Sequence, residues 1–212
     1  MKISESVDLI DGTMANCYSI KLRDRVILVD AGMKGSGKKC IEFYRQAGYR
    51  PDTIIITHYH PDHIGGLKLL SDEFHPEIYV PDEERAVIEG QSKPVPGKSM
   101  MSRIVGSLAR SAPVSNVKGA SELSIDGIEV LPTPGHTPGS TSYFLKSDGV
   151  IFVGDAIVTS SGEPSINRGF TLDYEMAQKS MKEIMSHPCK IILSGHGKPY
   201  HKGKETGEEE KT

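Results

Sequence analysis

The sequence predicts an α/β fold in which two β-sheets pack face to face between outer layers of helices, a four-layer αββα sandwich. The first observation is the element order, because each half of the chain contains strands, a helix, strands and a helix. The second is the length of 212 residues, which suits one domain. The third is an ordinary globular composition, with 37% hydrophobic residues and a further 22 glycines.

The first half begins with three strands. Residues 3–10, 14–20 and 25–30 alternate or run apolar, and turn residues Asp11-Gly12 and Arg23-Asp24 separate them, which predicts a β-meander. Residues 36–47 place apolar side chains at a helical period and end at Gly48. We then expect a buried strand at 53–57, a short helix at 64–70 and a strand at 78–80.

The second half repeats this order. Strands are predicted at 128–131, 141–145 and 150–154, followed by a helix at 173–186 and a last strand at 190–193. The helix is expected to place Met176, Ser180, Met181 and Ile184 on one side. These patterns make residues 1–205 one domain, and residues 206–212 a charged tail.

Residues 82–118 interrupt the pattern and predict an insertion or lid. The segment QSKPVPGKS must be a loop, and residues 100–110 form a candidate helix. This helix carries an apolar stripe of Met101, Ile104, Val105 and Leu108. Two interpretations stay open: the stripe packs on the sandwich or on a second copy of the chain in a homodimer, or it lines an apolar substrate pocket.

Composition excludes several classes of partner. Because 25 basic residues face 28 acidic ones, the chain has no general attraction for nucleic acid. No apolar run approaches the roughly 20 residues of a membrane span, and the N-terminal segment does not resemble a signal peptide. Three widely spaced cysteines indicate reduced thiols and a cytoplasmic location. The expected partner is therefore a small-molecule substrate.

Histidines are concentrated in short segments that follow predicted strands. His58, His60, Asp62 and His63 lie within HYHPDH. In an extended loop alternate side chains share a side, so His58 and His60 can reach one metal ion while Asp62 and His63 turn toward another point. Three more candidates each have a glycine beside them: His136 in TPGHTPGS, Asp155 in FVGDA and His196 in LSGHG.

These seven side chains comprise five imidazoles and two carboxylates. That donor set suits two ions of Zn²⁺, or of Fe or Mn, and not Ca²⁺ or Mg²⁺, which prefer oxygen ligands. Without a thiolate, the set does not resemble a closed structural zinc site.

The HYHPDH segment with His136, Asp155 and His196 resembles the binuclear metal signature of the metallo-β-lactamase superfamily, and VDAG at 29–32 and TPGHTPGS resemble its further motifs. The resemblance implies the metallo-β-lactamase fold. It also implies that His58, His60 and His136 hold the first metal, that Asp62, His63 and His196 hold the second, and that Asp155 bridges them. Asp30 becomes a structural carboxylate under the metal loop, although a turn residue ending a strand is the alternative.

The reaction expected of such a site is hydrolysis of a small ester, thioester or lactone by a metal-bridged hydroxide, with Asp62 as the catalytic residue that orients the nucleophile and carries its proton. The layout is closest to glyoxalase II-like enzymes and lactonases. Asp155 argues against the antibiotic-hydrolysing branch. Only 16 residues follow His196, too few for the C-terminal helical domain that grips glutathione in full-length glyoxalase II.

Two alternatives remain open: a mono-iron persulfide dioxygenase and a phosphodiesterase acting on small nucleotides. Substrate contacts are predicted at Met101, Asn167, Arg168 and Tyr174. Tyr59 lies between two ligands, so its side chain points away from the metals and is expected to pack.

Overall fold

The computed structural model describes residues 1–97 and 111–203. The first sheet has six strands, which lie side by side in chain order. They are β1 (Val7–Ile10), β2 (Cys17–Leu22), β3 (Arg25–Val29), β4 (Thr53–Ile55), β5 (Glu77–Val80) and β6 (Lys118–Gly119). The first three strands form the predicted antiparallel meander, and β3 to β6 pair in parallel.

The second sheet has five strands, in the spatial order β11-β10-β9-β8-β7. They are β7 (Ile128–Pro132), β8 (Thr141–Leu145), β9 (Val150–Gly154), β10 (Ile191–Ser194) and β11 (Tyr200–His201). Strands β9 and β10 are parallel, and the other neighbours are antiparallel.

Five α-helices lie in the described part of the chain: α1 (Lys34–Ala47), α2 (Pro61–Ile64), α3 (Leu67–Phe74), α4 (Arg85–Ile88) and α5 (Tyr174–Ser186). Helix α1 ends as predicted at Gly48. The φ of 74° at this residue is in the left-handed region, which glycine adopts without steric strain. Helix α5 begins at Asp173, whose carboxylate accepts a hydrogen bond from Met176 N. Among these helices none is both long and apolar enough to cross a membrane.

The two-residue period of the strands divides the core into layers. In β3, Ile27 and Val29 face the second sheet, whereas Leu28 faces the cluster that includes residues of α1 and α3. In β9, Phe152 packs between the sheets, and Ile151 packs with Ile184 of α5. Helices therefore cover the outer face of each sheet, which confirms the predicted αββα sandwich.

Several local predictions were wrong in extent. The helix expected at 64–70 is two helices, α2 and α3, separated by Gly65 and Gly66. A Cβ at Gly66 would overlap Ala31 O and the backbone of Gly37. Glycine is therefore needed where this segment lies against the start of α1. The strand expected at 53–57 ends at Ile55. Strands β6 and β11 were not predicted because each has only two residues.

The predicted apolar side of α5 was also partly wrong. Ala177, Ser180 and Ile184 are the buried positions, while Met176 is 39% exposed. Ala177 takes the buried position in the first turn, where it lies against Gly135, and it shares a regular helical face with Ser180 and Ile184.

The insertion at 82–118 remains a prediction. Its described parts contain a 3₁₀ turn (Asp82–Glu84), helix α4 and loop, including residues 91–97 of the predicted loop. The candidate helix at 100–110, with Met101, and the charged tail at 206–212 lie outside the described residues.

Candidate metal centre

The fold brings all seven predicted metal ligands together at one edge of the sandwich. Four segments supply them: the loop and short helix after β4, the β7–β8 connection, and the ends of β9 and β10. Their ligand atoms form three overlapping groups, each within 4.8 Å. These groups are His58, His60 and His136; His58, His63 and Asp155; and Asp62, His63 and His196.

The first group is a triangle of imidazoles. The ring centroids of His58, His60 and His136 lie 4.7 Å apart in each pair, and each pair meets nearly edge to face. His60 Nδ1 and His136 Nε2 approach to 2.9 Å. His58 Nε2 is buried and has no hydrogen-bond partner in the described chain. Three nitrogens converging on one point suit a single metal ion.

The group of Asp62, His63 and His196, called the second group, lies at the other end of the site, and the group of His58, His63 and Asp155 overlaps both. Asp62 Oδ2 lies 3.0 Å from His196 Nε2 and 3.9 Å from His63 Nε2. The side chains of Asp62 and His196 are 28% and 32% exposed, whereas that of His63 is fully buried. This side of the site is therefore open to solvent and to a substrate.

Asp155 lies between the two groups. Its Oδ1 is 3.3 Å from His63 Nε2, and its Oδ2 is 3.7 Å from His136 Nε2 and 3.5 Å from His196 Nε2. Oδ1 is buried and not aligned for a hydrogen bond with any described residue, and the same holds for His63 Nε2. Unpartnered buried N and O atoms are costly, so the donor set fits metal ions that would satisfy them.

Burial keeps the imidazoles of the first group neutral. Burial, reinforced by the neighbouring histidines, lowers the pKa of His58 well below its ordinary value and that of His60 to about 3. Burial also lowers the pKa of His136, against the attraction of Asp155. A neutral imidazole keeps its lone pair, which is the form that binds a metal.

The imidazoles of the second group have raised pKa values, because carboxylates lie next to them. Burial alone lowers the pKa of His63, but Asp30 and Asp155 outweigh it and raise the pKa well above the ordinary value. The hydrogen bond to Asp62 raises the pKa of His196. Burial raises the pKa of Asp62, yet His196 and His63 together lower it to about 2. Both carboxylates of the ligand set are thus ionised at neutral pH, since His63 likewise outweighs burial at Asp155.

Asp30 supports the loop that carries the ligands, as predicted. Its buried carboxylate accepts hydrogen bonds from Thr57 N and Thr57 Oγ1, both at 2.8 Å, and lies 2.7 Å from His63 Nδ1. Its backbone φ of 59° is left-handed, which Asp tolerates better than most residues. Because the Asp30 carboxylate accepts a hydrogen bond from His63 Nδ1–H, the Nε2 atom of His63 keeps its lone pair for a metal ion.

We expect Asp30→Asn to weaken binding of the second metal ion by about 10–100-fold. Asn keeps the left-handed backbone, but its amide group can donate to His63 Nδ1, which moves the ring proton to Nε2, the metal-facing atom. Metal content after dialysis against a chelator measures this effect. Asp148→Asn is the matched control, because Asp148 accepts hydrogen bonds from Ser4 and Ser6 at the opposite end of β9. Two tightly held metal ions in Asp30→Asn would contradict the assignment.

Gly195 allows the loop that carries His196 to lie close to the other ligands. A Cβ at Gly195 would overlap Asp155 Oδ1 and the ring of His63. The loop that carries His196 can therefore approach the other ligands only because residue 195 has no side chain. Asn16 holds this loop from the other sheet: its backbone N donates to Gly195 O, and its side-chain amide donates to Ser194 O and Gly197 O.

Among the predicted substrate contacts, Asn167, Arg168 and Tyr174 lie between β9 and the start of α5, and none of the three belongs to the ligand groups. Arg168 stacks on the ring of Tyr174, with its guanidinium carbon 4.2 Å from the ring centre, and donates to the Tyr174 hydroxyl. Asn167 Oδ1 accepts from Gly169 N within its own loop. Leu172 N, further along this loop, donates to His136 O. Met101 lies outside the described residues, and Tyr59 packs in the core as predicted.

Two residues that hold the ligand loops escaped sequence interpretation. Asn16 carries no motif and precedes an ordinary strand. Glu84 lies in the charged run PDEER, which indicates a solvent-exposed surface, yet it is 1% exposed. No local sequence signal identifies either residue, because their partners are distant in the chain.

Comparison with known proteins gives one family and several relatives. Residues 10–196 match the family model described as the metallo-beta-lactamase superfamily. The chain is 30% identical to probable metallo-hydrolase YqgX of Bacillus subtilis (strain 168) over 189 residues, 86% of this chain and 85% of that protein. It is 31% identical to hydroxyacylglutathione hydrolase of Brucella ovis over 143 residues, 66% of this chain but 47% of that enzyme.

The fold is also similar to solved structures. The crystal structure of the BLEG-1 B3 metallo-β-lactamase superposes with a TM-score of 0.72 at 28% sequence identity. The match covers 92% of this chain and 93% of that one. The similarity therefore extends over almost the whole of both chains.

Proposed function

The chain belongs to the metallo-β-lactamase superfamily, and from that premise we propose that it is a binuclear metal-dependent hydrolase of the glyoxalase II-like branch. Its substrate is a small ester, thioester or lactone, and its metal ions are two Zn²⁺, with Fe or Mn as the alternatives. One observation carries the proposal: seven metal-binding side chains from four segments converge, and buried nitrogen and oxygen atoms among them lack hydrogen-bond partners in the described chain.

The chemistry divides between the metal ions and the protein. When bound, such ions supply an activated water and polarise the oxygen of the scissile group. His58, His60 and His136, whose lowered pKa values keep them neutral, would hold one ion, while Asp155 faces both ligand groups. Asp62 is the more exposed carboxylate and can orient the attacking water and pass its proton to the leaving group through Oδ2.

The proposed setting is a cytoplasmic enzyme with a small-molecule substrate and no nucleic-acid or membrane partner. The near balance of charge supports this proposal. A homodimer is proposed as the assembly, with residues 82–118 serving either as its interface or as a lid over the substrate. Similarity to hydroxyacylglutathione hydrolase favours a thioester, but the match covers under half of that enzyme, so the glutathione portion is not part of the proposal.

A substrate panel tests the hydrolase proposal. We expect at least one thioester, ester or lactone to be cleaved with a kcat/KM of about 10⁴ M⁻¹ s⁻¹ or more. The panel also contains a bis-phosphodiester, a cyclic nucleotide and a β-lactam, the last because of the similarity to BLEG-1. His58→Ala, purified in the same way, controls for a contaminating hydrolase.

The outcomes separate the alternatives. Preferential cleavage of a phosphodiester would replace the ester assignment with a phosphodiesterase. One iron per chain, with oxygen consumed on addition of a glutathione persulfide, would establish the dioxygenase and overturn the hydrolase. Equal rates for the wild type and His58→Ala would show that the activity belongs to a contaminant.

A further inference from the structure

Glu84 is a buried carboxylate outside the ligand set that contacts two ligand-bearing loops at once. It ends the 3₁₀ turn Asp82–Glu84 after β5. Its Oε2 accepts a hydrogen bond from Tyr59 N at 2.5 Å. Its Oε1 accepts from Thr137 Oγ1 and from Gly139 N, the latter at 3.1 Å. One side chain thus joins loops that are 78 residues apart, between Tyr59 and Thr137.

The three donors are placed next to the ligands of the imidazole triangle. Tyr59 lies between His58 and His60, so fixing its N–H fixes the backbone of both ligands. Thr137 directly follows His136. The separation of the two loops decides whether the three imidazole nitrogens meet at one point, and His60 Nδ1 and His136 Nε2 are already 2.9 Å apart.

We propose that Glu84 is a positioning residue that holds the loops carrying His58, His60 and His136 at the separation that the first metal ion requires. This inference rests on the proposed function, because it takes the imidazole triangle to be a metal site. In the described chain, the hydrogen bonds of Glu84 go to backbone N–H groups and to the Thr137 hydroxyl, and not to a ligand side chain.

The turn that carries Glu84 is itself anchored. Asp82, at its start, accepts hydrogen bonds from Ser121 N and Ser121 Oγ. Gly139 makes room on the opposite side, because a Cβ there would overlap Glu84 Cγ. Two hydrogen bonds join the sheets nearby: Thr141 N donates to Thr57 O, and the Tyr143 hydroxyl donates to Ile56 O. Neither bond reaches the loop residues that lie next to the ligands. Glu84 extends the connection to the ligands themselves.

The chemistry of the donors explains why a carboxylate is needed. Backbone N–H groups can only donate, and they approach both oxygens of Glu84. An ionised carboxylate accepts on both sides, and because burial raises the pKa of Glu84 to about 7, this form predominates above neutral pH. A glutamine offers one oxygen and one NH₂ group, so in either orientation an NH₂ group faces Tyr59 N–H or Gly139 N–H. Glu84→Gln therefore keeps the shape of the side chain and removes one half of the connection.

The test measures metal affinity directly, with Zn²⁺ competed against a chromophoric chelator. We expect Glu84→Gln to weaken binding of the first Zn²⁺ by about 10–100-fold. The Tm of the metal-free variant should fall by several degrees, because one buried N–H group loses its acceptor. The visible absorption of the Co²⁺-loaded variant should also change, since it reports ligand geometry. Glu83→Gln is the matched control, because this adjacent glutamate is exposed, and it should bind Zn²⁺ like the wild type.

Thr137→Val provides a second variant, which removes the hydrogen bonds of the Thr137 hydroxyl to Glu84 Oε1 and Ser140 Oγ and keeps the side-chain volume. We expect it to weaken the first Zn²⁺ by about 3–10-fold. If Glu84→Gln does not fold, the Zn²⁺ affinity of Thr137→Val tests whether Glu84 positions the ligand loops. Unchanged Zn²⁺ affinity in a folded Glu84→Gln, or in Thr137→Val when the former does not fold, would overturn the inference alone. A wild-type chain that binds no Zn²⁺ would overturn the proposed function and this inference together.

Discussion

Replacing Asp62 by Asn is expected to lower kcat by about 10²–10⁴-fold while the protein remains folded. Asn cannot hold or release the proton that the proposed mechanism passes through Oδ2, and it is a poorer metal ligand than a carboxylate. The fold should survive because Asp62 is partly exposed and its partner His196 is also open to water. Steady-state kinetics on the best substrate of the panel, with a thermal unfolding curve, measures both effects.

Asp72→Asn is the control for removing one carboxylate. Asp72 is on α3, is mostly exposed and pairs with Lys68, so its replacement should leave kcat unchanged. An Asp62→Asn enzyme with a normal kcat would contradict the assignment of Asp62 as the catalytic residue. Asp62→Ala should behave like Asp62→Asn, since neither side chain can carry the proton.

Removing the metal ions is expected to abolish turnover and to lower the Tm by roughly 8–16 °C relative to protein held at about 1,000 times the metal Kd. This range follows from about 4 kcal/mol of binding free energy coupled to folding, at 2–4 °C per kcal/mol for a chain of this size. The metal-free chain should still be folded, because three apolar clusters hold the sandwich away from the site.

Calorimetry before and after chelation, followed by addition of Zn²⁺, measures this effect. His58→Ala is the matched control, since a chain that lacks a ligand should respond much less to chelator and to metal. A Tm that does not change on chelation of the wild type would contradict the view that the seven side chains form a metal centre.

The convergence of the seven candidate ligands could be predicted because its signals are local. HYHPDH places four candidates within six residues, and each remaining candidate lies beside a glycine at or just past the end of a strand. The carboxyl ends of parallel strands meet at one edge of a sheet, so strand prediction brings distant candidates into proximity. The αββα layers followed from the element order, whereas the structural role of Asp30 followed from the family resemblance.

What could not be predicted depends on contacts between distant segments. Glu84 lies in a charged run and is buried only because donors near residues 59 and 137 surround it. The exposure of Met176 was not predicted, because Ala177, which lies against Gly135, takes the buried position in the first turn of α5 and one methyl group gives no strong sequence signal. Neither contact leaves a signal within a short window of sequence.

The central claim is that this chain holds two metal ions and uses them for hydrolysis. The most direct measurement adds Zn²⁺ stepwise to metal-free protein and follows the rate of substrate cleavage together with bound metal. We expect the rate of substrate cleavage and the amount of bound Zn²⁺ to rise together until two ions are bound per chain, and then to level off. Full activity at one ion per chain, or two bound ions with no hydrolysis of any substrate in the panel, would contradict it.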